Sequence, residues 1–192
     1  MDSAEFLRRI FDGYVTCYRK NNWSTYEREY ANMTHKELSF FIQLGESLGF
    51  IVRLEMEWQY PRDLCWCEAP NGNEPFLYLE RENRDGQAEY TIEKMLNIDN
   101  SRDIPTLVCV FGWIREQTLK KVKTLIRKRL PEDKNFLMIS WIGDDKDEGP
   151  FTVEGWIFSG GKESYRKAKP EMDNGEYWYI YFEKDSTWTW NI

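Results

Sequence analysis

Apolar residues along this chain recur with two different periods, and their alternation predicts both helices and strands. A stripe of apolar residues at helical spacing predicts a first helix over residues 4–20. A second helix is predicted to begin at Thr34, because Glu37 three residues later completes a capping-box pattern. Gly49 is a plausible stop for that helix. Two helices are therefore expected before the first strand.

The remaining apolar segments predict a run of strands interrupted by two further helices. The segment 106–113 is a near-continuous apolar run of the kind found in a strand buried on both faces. The polar stretch 160–175 is predicted to separate two strands. In chain order the predicted elements are strands at 51–58, 64–67 and 76–80, a helix at 88–97, a strand at 106–113, a helix at 115–129, and strands at 135–142, 152–159 and 177–183.

The size and apolar content of the chain predict a single domain. With 192 residues, of which 41% are apolar and 16% aromatic, the chain can bury one sizeable core but hardly two. We expect a helical extension at 1–33, a core at 34–130 and additional strands at 131–192. The chain has neither a run of roughly 18 apolar residues nor a signal-peptide pattern, so a cytoplasmic protein without a membrane partner is expected.

Charge is strongly segregated along the chain. The net charge of −7 argues against a dedicated nonspecific nucleic-acid coat, which depends on neutralising phosphates. Residues 115–129 nevertheless carry seven basic residues and one acidic residue, in a pattern that predicts an amphipathic helix with a basic outer face. This face is either a solvated surface or a phosphate-binding one. Its candidate nucleic-acid contacts are Lys120, Lys121, Arg127 and Lys128.

Three carboxylates are placed by the predicted strands near one edge of the sheet. Asp63 lies at the strand over 64–67, and Glu80 and Glu82 lie seventeen and nineteen residues further on. The period-two rule puts Glu80 and Glu82 on one strand face and Arg81 on the other. Clustered carboxylates repel and hard cations prefer oxygen ligands, so this edge is a candidate divalent-cation site. Alternatively, Asp63 caps a turn and the two glutamates form the solvent face of an edge strand.

The carboxylates occupy particular positions in the order helix, three strands, helix, strand. Asp63 opens the second strand within Pro61-Arg62-Asp63-Leu64-Cys65-Trp66, and Glu80 lies on the third within Leu77-Tyr78-Leu79-Glu80-Arg81-Glu82. This pattern resembles the core of the PD-(D/E)XK restriction-endonuclease-like superfamily over about 80 of the 192 residues. The run Glu80-Arg81-Glu82-Asn83, followed by Glu93-Lys94-Met95-Leu96, looks like a group of prokaryotic proteins in that superfamily. The resemblance implies an α/β fold with a mixed sheet flanked by helices, extended by the N-terminal helix and the C-terminal strands.

The resemblance also implies roles for the acidic residues. Asp63 and Glu80 would be direct ligands of Mg²⁺ or Mn²⁺, the only cofactor expected. A glutamate from the preceding helix often joins such sites, and Glu37 or Glu46 would fill that place. The alternative role of Glu37 is to cap its own helix.

One position departs from the pattern of the superfamily. Glu82 stands where its members usually have a lysine, as it does in some active restriction enzymes, and would serve as a ligand or general base. Lys94 on the following helix would take the place of the missing lysine, as migrated lysines do in some members. The alternative role of Lys94 is that of a solvated helix lysine.

Together these features predict a divalent-metal-dependent nuclease that hydrolyses phosphodiester bonds of nucleic acid. The alternative is a catalytically degenerate protein of the same fold that acts as a binding or assembly module. Nucleases that cut both strands are often two-fold dimers, and the aromatic strand at 177–183 is a candidate homodimer interface. The same aromatic run would also fit a strand covered on both faces.

Overall fold

The computed structural model describes residues 2–18, 30–54, 63–97, 105–144, 150–173 and 177–191, which form an α/β fold. The helices of this part of the chain are α1 Ser3–Tyr18, α2 Tyr30–Ser47, α3 Ala88–Leu96, which follows a 3₁₀ turn at Asp85–Gln87, and α4 Glu116–Arg129. The strands are β1 Ile51–Leu54, β2 Leu64–Cys67, β3 Pro75–Glu82, β4 Thr106–Ile114, β5 Asn135–Ile142, β6 Thr152–Ser159, β7 Lys162–Asp173, β8 Tyr177–Tyr181 and β9 Thr189–Asn191.

The strands form one mixed sheet in which spatial order follows chain order. The order is β1-β2-β3-β4-β5-β6-β7-β8, and β9 pairs with β7. Strand β4 runs parallel to both β3 and β5, whereas the other pairs are antiparallel. Parallel neighbours need a crossover connection, and α3 and α4 lie in the two crossovers. The expected mixed sheet with flanking helices is therefore confirmed.

Helices cover both faces of the sheet and create two hydrophobic cores. On one face α1 and α2 bury aromatic residues such as Phe11 and Phe41 in a core that also contains Leu77 and Leu79 of β3. On the other face α3 and α4 pack against Tyr78 and against residues of β4 to β6. Strand β3 thus has helices on both sides, which explains why its apolar residues do not alternate with polar ones.

Most predicted elements lie where the apolar pattern placed them. The predicted start of the second helix at Thr34 is wrong, because α2 already begins at Tyr30 and Thr34 lies inside it. The first strand is observed as Ile51–Leu54, and its predicted continuation through residue 58 lies outside the described residues.

The polar stretch 160–175 is not the predicted separator but contains the twelve-residue strand β7. Gly160 and Gly161 have φ values of +55° and +72° and form the two-residue turn of a β6–β7 hairpin. Strand β7 pairs with β6 through residues 162–168, with β9 through 163–165 and with β8 through 169–173, so each of its residues has a strand partner despite its polar side chains. Its strand structure therefore comes from tertiary pairing.

No helix in the described part of the chain is long and apolar enough to cross a membrane.

The packing of α1 on the sheet predicts a sharp cost for one added methyl group. A Cβ atom on Gly155 of β6 would lie 2.5 Å from Cγ of the fully buried Phe11 ring. Overpacking of this kind costs about 1–3 kcal/mol, so Gly155→Ala should lower the urea midpoint with an unchanged m-value. The control is Gly86→Ala, because a Cβ there meets no atom within 4 Å. Equal midpoints for the two variants would contradict the described packing.

Candidate functional site

The C-terminal end of β3 and one face of α3 line an open cleft of about 430 Å³. Its lining is almost entirely polar and consists of Glu80, Arg81, Glu82, Asn83, Arg84, Gln87, Tyr90, Thr91 and Lys94. The last pair between β2 and β3 is Leu64 with Leu79, so the C-terminal end of β3 extends beyond β2 and leaves space for the cleft. Three of the predicted catalytic residues, Glu80, Glu82 and Lys94, therefore share one cleft.

Alternation along β3 sends its charged residues to opposite faces of the sheet. Tyr78 lies in the core beneath α3 and α4, whereas Leu77 and Leu79 lie in the core beneath α1 and α2. Glu80 follows Tyr78 in this alternation, and Arg81 follows Leu79. The acidic side of the strand end therefore faces α3, and its basic side faces α2.

Lys94 of α3 reaches the buried carboxylate of Glu80. The Lys94 Nζ donates a hydrogen bond of 3.0 Å to Glu80 Oε2, and the two side chains are 25% and 7% exposed. Lys94 is thus no freely solvated helix lysine: it lies partly buried in the cleft with its charge directed at Glu80. A cationic group of α3 therefore lies beside the Glu80 carboxylate at the end of β3.

Asp63 reaches the same strand end from β2. Its Oδ2 accepts a hydrogen bond of 2.6 Å from the backbone N–H of Arg81, just beyond the last β2–β3 pair. This carboxylate therefore binds the backbone of strand β3, whereas the simpler interpretation had expected it to cap a turn. It also lies in the electrostatic neighbourhood of the two glutamates.

The pKa of the buried Cys109 thiol is affected by the charges at this strand end. Cys109 pairs with Glu80 in the β3–β4 register. Burial raises the pKa of this thiol well above its usual range, and the charges of Glu80, Glu82 and Asp63 raise it further, whereas Lys94 lowers it. Asp63, Glu80, Glu82 and Lys94, the residues that the sequence singled out for catalysis, therefore all contribute to the electrostatic environment of this thiol.

Glu82 is engaged in holding the turn between β3 and α3. Its Oε1 accepts hydrogen bonds of 2.8 Å from the backbone N–H groups of Asn83 and Arg84. Its Oε2 accepts a hydrogen bond of 3.1 Å from the Thr91 hydroxyl. Three donors occupy this carboxylate, so its observed role is to fix the strand-to-helix connection.

Glu37 does not lie where the predicted metal site needs it. Its carboxylate is on the α2 side of the sheet, bound to Arg81, whereas Glu80 faces α3. The assignment of Glu37 as a metal ligand is therefore wrong, because the two glutamates belong to opposite faces of β3. Among the described residues no group of three or more His, Cys, Asp or Glu side chains is placed to hold a metal ion. A cation here would have Asp63 and Glu80 as its carboxylate ligands.

A chain of buried hydrogen bonds holds Arg81 on the opposite face of β3. The Arg81 Nε donates to Glu37 Oε2, and its Nη1 donates to the side-chain oxygen of Asn83. Tyr14 of α1 donates a 2.6 Å hydrogen bond to Glu37 Oε1 and accepts one of 2.8 Å from Trp141. The network connects α1, α2, β3 and β5 across one face of the sheet.

The ionisation of this network follows from burial and charge. Burial alone lowers the pKa of Arg81, but the charge of Glu37 and the hydrogen bond to it outweigh burial, so the pKa is raised. Burial raises the pKa of Tyr14 well above its usual range, and Glu37 raises it further, so the hydroxyl keeps its proton. A Cβ atom on Gly112 would lie 2.6 Å from Arg81 Nη2, so glycine leaves space for the guanidinium.

The basic helix α4 shares its charges with carboxylates of neighbouring elements. Lys120 pairs with Glu116 at 3.3 Å within the helix. Lys121 pairs with Glu89 of α3 at 3.3 Å. Arg127 forms two hydrogen bonds, of 2.8 and 3.0 Å, with Glu163 of β7, and Lys128 is exposed. The basic face is thus partly neutralised within the molecule.

Several residues of the cleft were not singled out from the sequence. Gln87, Tyr90 and Thr91 share a helical face with Lys94, because positions i, i+3, i+4 and i+7 lie on one side of a helix. This helical spacing could have identified these three residues from the sequence, because Lys94 was already a candidate site residue. Arg84 carries no such signal, because its place depends on the turn held by Glu82.

The buried ion pair predicts a large loss of stability when one partner is removed. Glu37→Ala would leave the Arg81 charge buried without its carboxylate, which costs about 3–5 kcal/mol in comparable pairs. The control is Glu5→Ala, because the Glu5–Arg9 pair is exposed and should be worth under about 1 kcal/mol. Equilibrium urea unfolding measures both, and similar losses in the two variants would contradict the role of the buried pair.

No protein-family model, curated protein or solved structure matches this chain, so the geometry of the cleft carries the functional assignment.

Proposed function

We propose that the protein is a divalent-metal-dependent nuclease that hydrolyses phosphodiester bonds in the cleft between β3 and α3. The observation that carries this proposal is the contact between Lys94 and Glu80 beside Asp63. Two carboxylates and one ammonium group at the end of a strand form the set of charges that binding a cation and a phosphate together requires.

The order of the elements supports a restriction-endonuclease-like core. Strands β1, β2 and β3 form an antiparallel meander after α2, and β4 returns parallel to β3 after α3. This is the order helix, three strands, helix, strand that the resemblance implies. Asp63 lies immediately before the second of these strands, and Glu80 lies on the third, where it lines the cleft.

The donor set fits Mg²⁺ or Mn²⁺. Magnesium is commonly held by one or two carboxylates together with waters and substrate phosphates, so Asp63 and Glu80 suffice without Glu37. When bound, the cation would activate the attacking water and neutralise charge that develops on the phosphate. The hardness of the two oxygen ligands excludes a preference for soft cations at this position.

The protein groups have separate tasks in this scheme. Asp63 and Glu80 hold the cation, and the strand end that carries them is fixed by the Arg81 N–H bond to Asp63. Lys94 donates its hydrogen bond to an entering phosphate oxygen instead of to Glu80, which stabilises negative charge at that oxygen. Glu82 and Thr91 keep the turn and α3 in register with β3, so that Lys94 stays opposite Glu80.

Helix α4 would contribute contacts to the phosphates of the substrate on either side of the cleft. The side chains of Lys120, Lys121 and Arg127, which form the ion pairs of this helix, are 46–67% exposed. Exposed pairs contribute little stability, so these cations can exchange carboxylates for phosphates at low cost. Such contacts are independent of base sequence.

A second candidate is a catalytically degenerate protein of the same fold that binds a partner without cleaving it. The observation that favours it is the internal pairing of the site: Lys94 already neutralises Glu80, and Glu82 is occupied by three donors. In that case the only role of the Glu80–Lys94 pair would be to hold α3 against β3. The two candidates differ in whether the site takes up a cation.

Calorimetric titration with Mg²⁺ and Mn²⁺ tests the proposed metal site. Wild type should bind the cation, and Asp63→Asn and Glu80→Gln should each lose binding because they remove a charged ligand while preserving shape. Asp63→Asn is informative because the amide oxygen can still accept the Arg81 N–H bond. The matched control is Glu82→Gln, which should bind the cation nearly as wild type does. Failure of the wild type to bind either cation would favour the degenerate binding module.

The same preparations separate metal binding from catalysis. Lys94→Ala should retain the cation and lose about 10²–10³-fold in the rate of oligonucleotide cleavage, because a group that stabilises developing charge has been removed. Cleavage unaffected by Lys94→Ala would contradict the role given to this lysine.

A further inference from the structure

Tyr90 is the most exposed large apolar side chain in the described part of the chain, at 63%. The buried stripe of α3 consists of Ala88, Thr91, Ile92 and Met95, so Tyr90 is not needed to pack this helix on the sheet. Its ring lies instead on the wall of the cleft. An aromatic side chain exposed to this extent at the edge of a polar cleft has the character of a contact surface.

The residues around Tyr90 form an ordered set along the cleft. Lys94 lies one helical turn beyond Tyr90 on the same face, about 6 Å along the helix axis. The amide of Gln87 precedes the ring on that face, and the exposed Arg84 lies on the adjoining loop. A planar ring, two polar groups at the rim and an ammonium group at the floor match the parts of one nucleotide: a base, its polar edge and its phosphate.

We infer that Tyr90 is a stacking platform for an unpaired base, and that the substrate class of the cleft is single-stranded nucleic acid. The inference rests on the proposed function and narrows its substrate. Within a duplex both faces of every base except those of the terminal pairs are covered by neighbouring bases, so the Tyr90 ring would find no free face along the duplex. An unpaired base offers its π-face regardless of sequence.

The electrostatics of the protein favour this choice over a duplex. Binding to a duplex depends largely on phosphate neutralisation, but the chain has a net charge of −7. Stacking supplies affinity that does not depend on net charge. The cleft volume of about 430 Å³ lies near the lower end of the range for ligand sites, which suits a single nucleotide inserted from a flexible strand.

The test is fluorescence anisotropy with a labelled single-stranded oligonucleotide and with the blunt duplex of the same sequence, in EDTA so that no cleavage occurs. Wild type should bind the single strand more tightly than the duplex. Tyr90→Ala should weaken single-strand binding by about 5- to 150-fold, the range that stacking of one base predicts. Tyr90→Phe should bind as wild type does, because it keeps the ring.

Two controls distinguish stacking from other effects. Phe151→Ala removes an aromatic side chain that is 54% exposed and does not line the cleft, and it should leave binding unchanged. The dependence of the affinity of Tyr90→Ala on salt should keep the wild-type slope, because no phosphate contact is lost. Equal binding by Tyr90→Ala and wild type, a preference for the duplex, or no binding of either oligonucleotide would overturn the inference. Single-strand binding that depends on Tyr90, without cleavage when Mg²⁺ is added, would overturn the nuclease proposal and leave this inference standing.

Discussion

The ion pair between Arg81 and Glu37 is the constraint on which the candidate site depends. It joins β3 to α2 inside one face of the sheet, where neither charge can be solvated by water. Because Arg81 is committed to that face, alternation directs Glu80 and Glu82 to the other face, towards α3. The backbone N–H of Arg81 also donates a hydrogen bond to Asp63. The position of Arg81 on β3 therefore orients both its own side chain, which anchors the strand, and the Asp63 carboxylate.

The elements of the fold that could be predicted from the sequence are those whose apolar pattern is strong enough to determine their structure. The run at 106–113 and the run at 135–142 are buried along nearly their whole length, so no other local structure suits them. Strand β7 had no such signal, because its residues are mainly polar and it is a strand only through its pairing with β6, β8 and β9. The start of α2 was misplaced because a local capping pattern continues equally well inside a longer helix.

The site was predictable as far as its residues obey strand and helix periodicity. The common face of Glu80 and Glu82 follows from the strand period, and Lys94 follows from a helix that returns over the end of β3. The partner of Glu37 was not predictable, because Arg81 lies 44 residues away and no local spacing connects the two. Glu89 and Glu163, which pair with Lys121 and Arg127 of the basic helix, are also distant along the chain, so net charge by segment overstated the free positive charge of this helix.

The site that results is a set of charges in which every carboxylate has a defined task. Glu37 anchors β3, Glu82 holds a turn, Asp63 accepts a hydrogen bond from the Arg81 backbone, and Glu80 lies in the cleft with Lys94 as its counter-charge. We propose that Asp63 and Glu80 share a divalent cation. Anomalous diffraction from a crystal of the protein grown with Mn²⁺ would locate that cation directly. We expect one strong anomalous peak within coordination distance of both Asp63 and Glu80, and a map with no peak between these two carboxylates would contradict the proposed metal site.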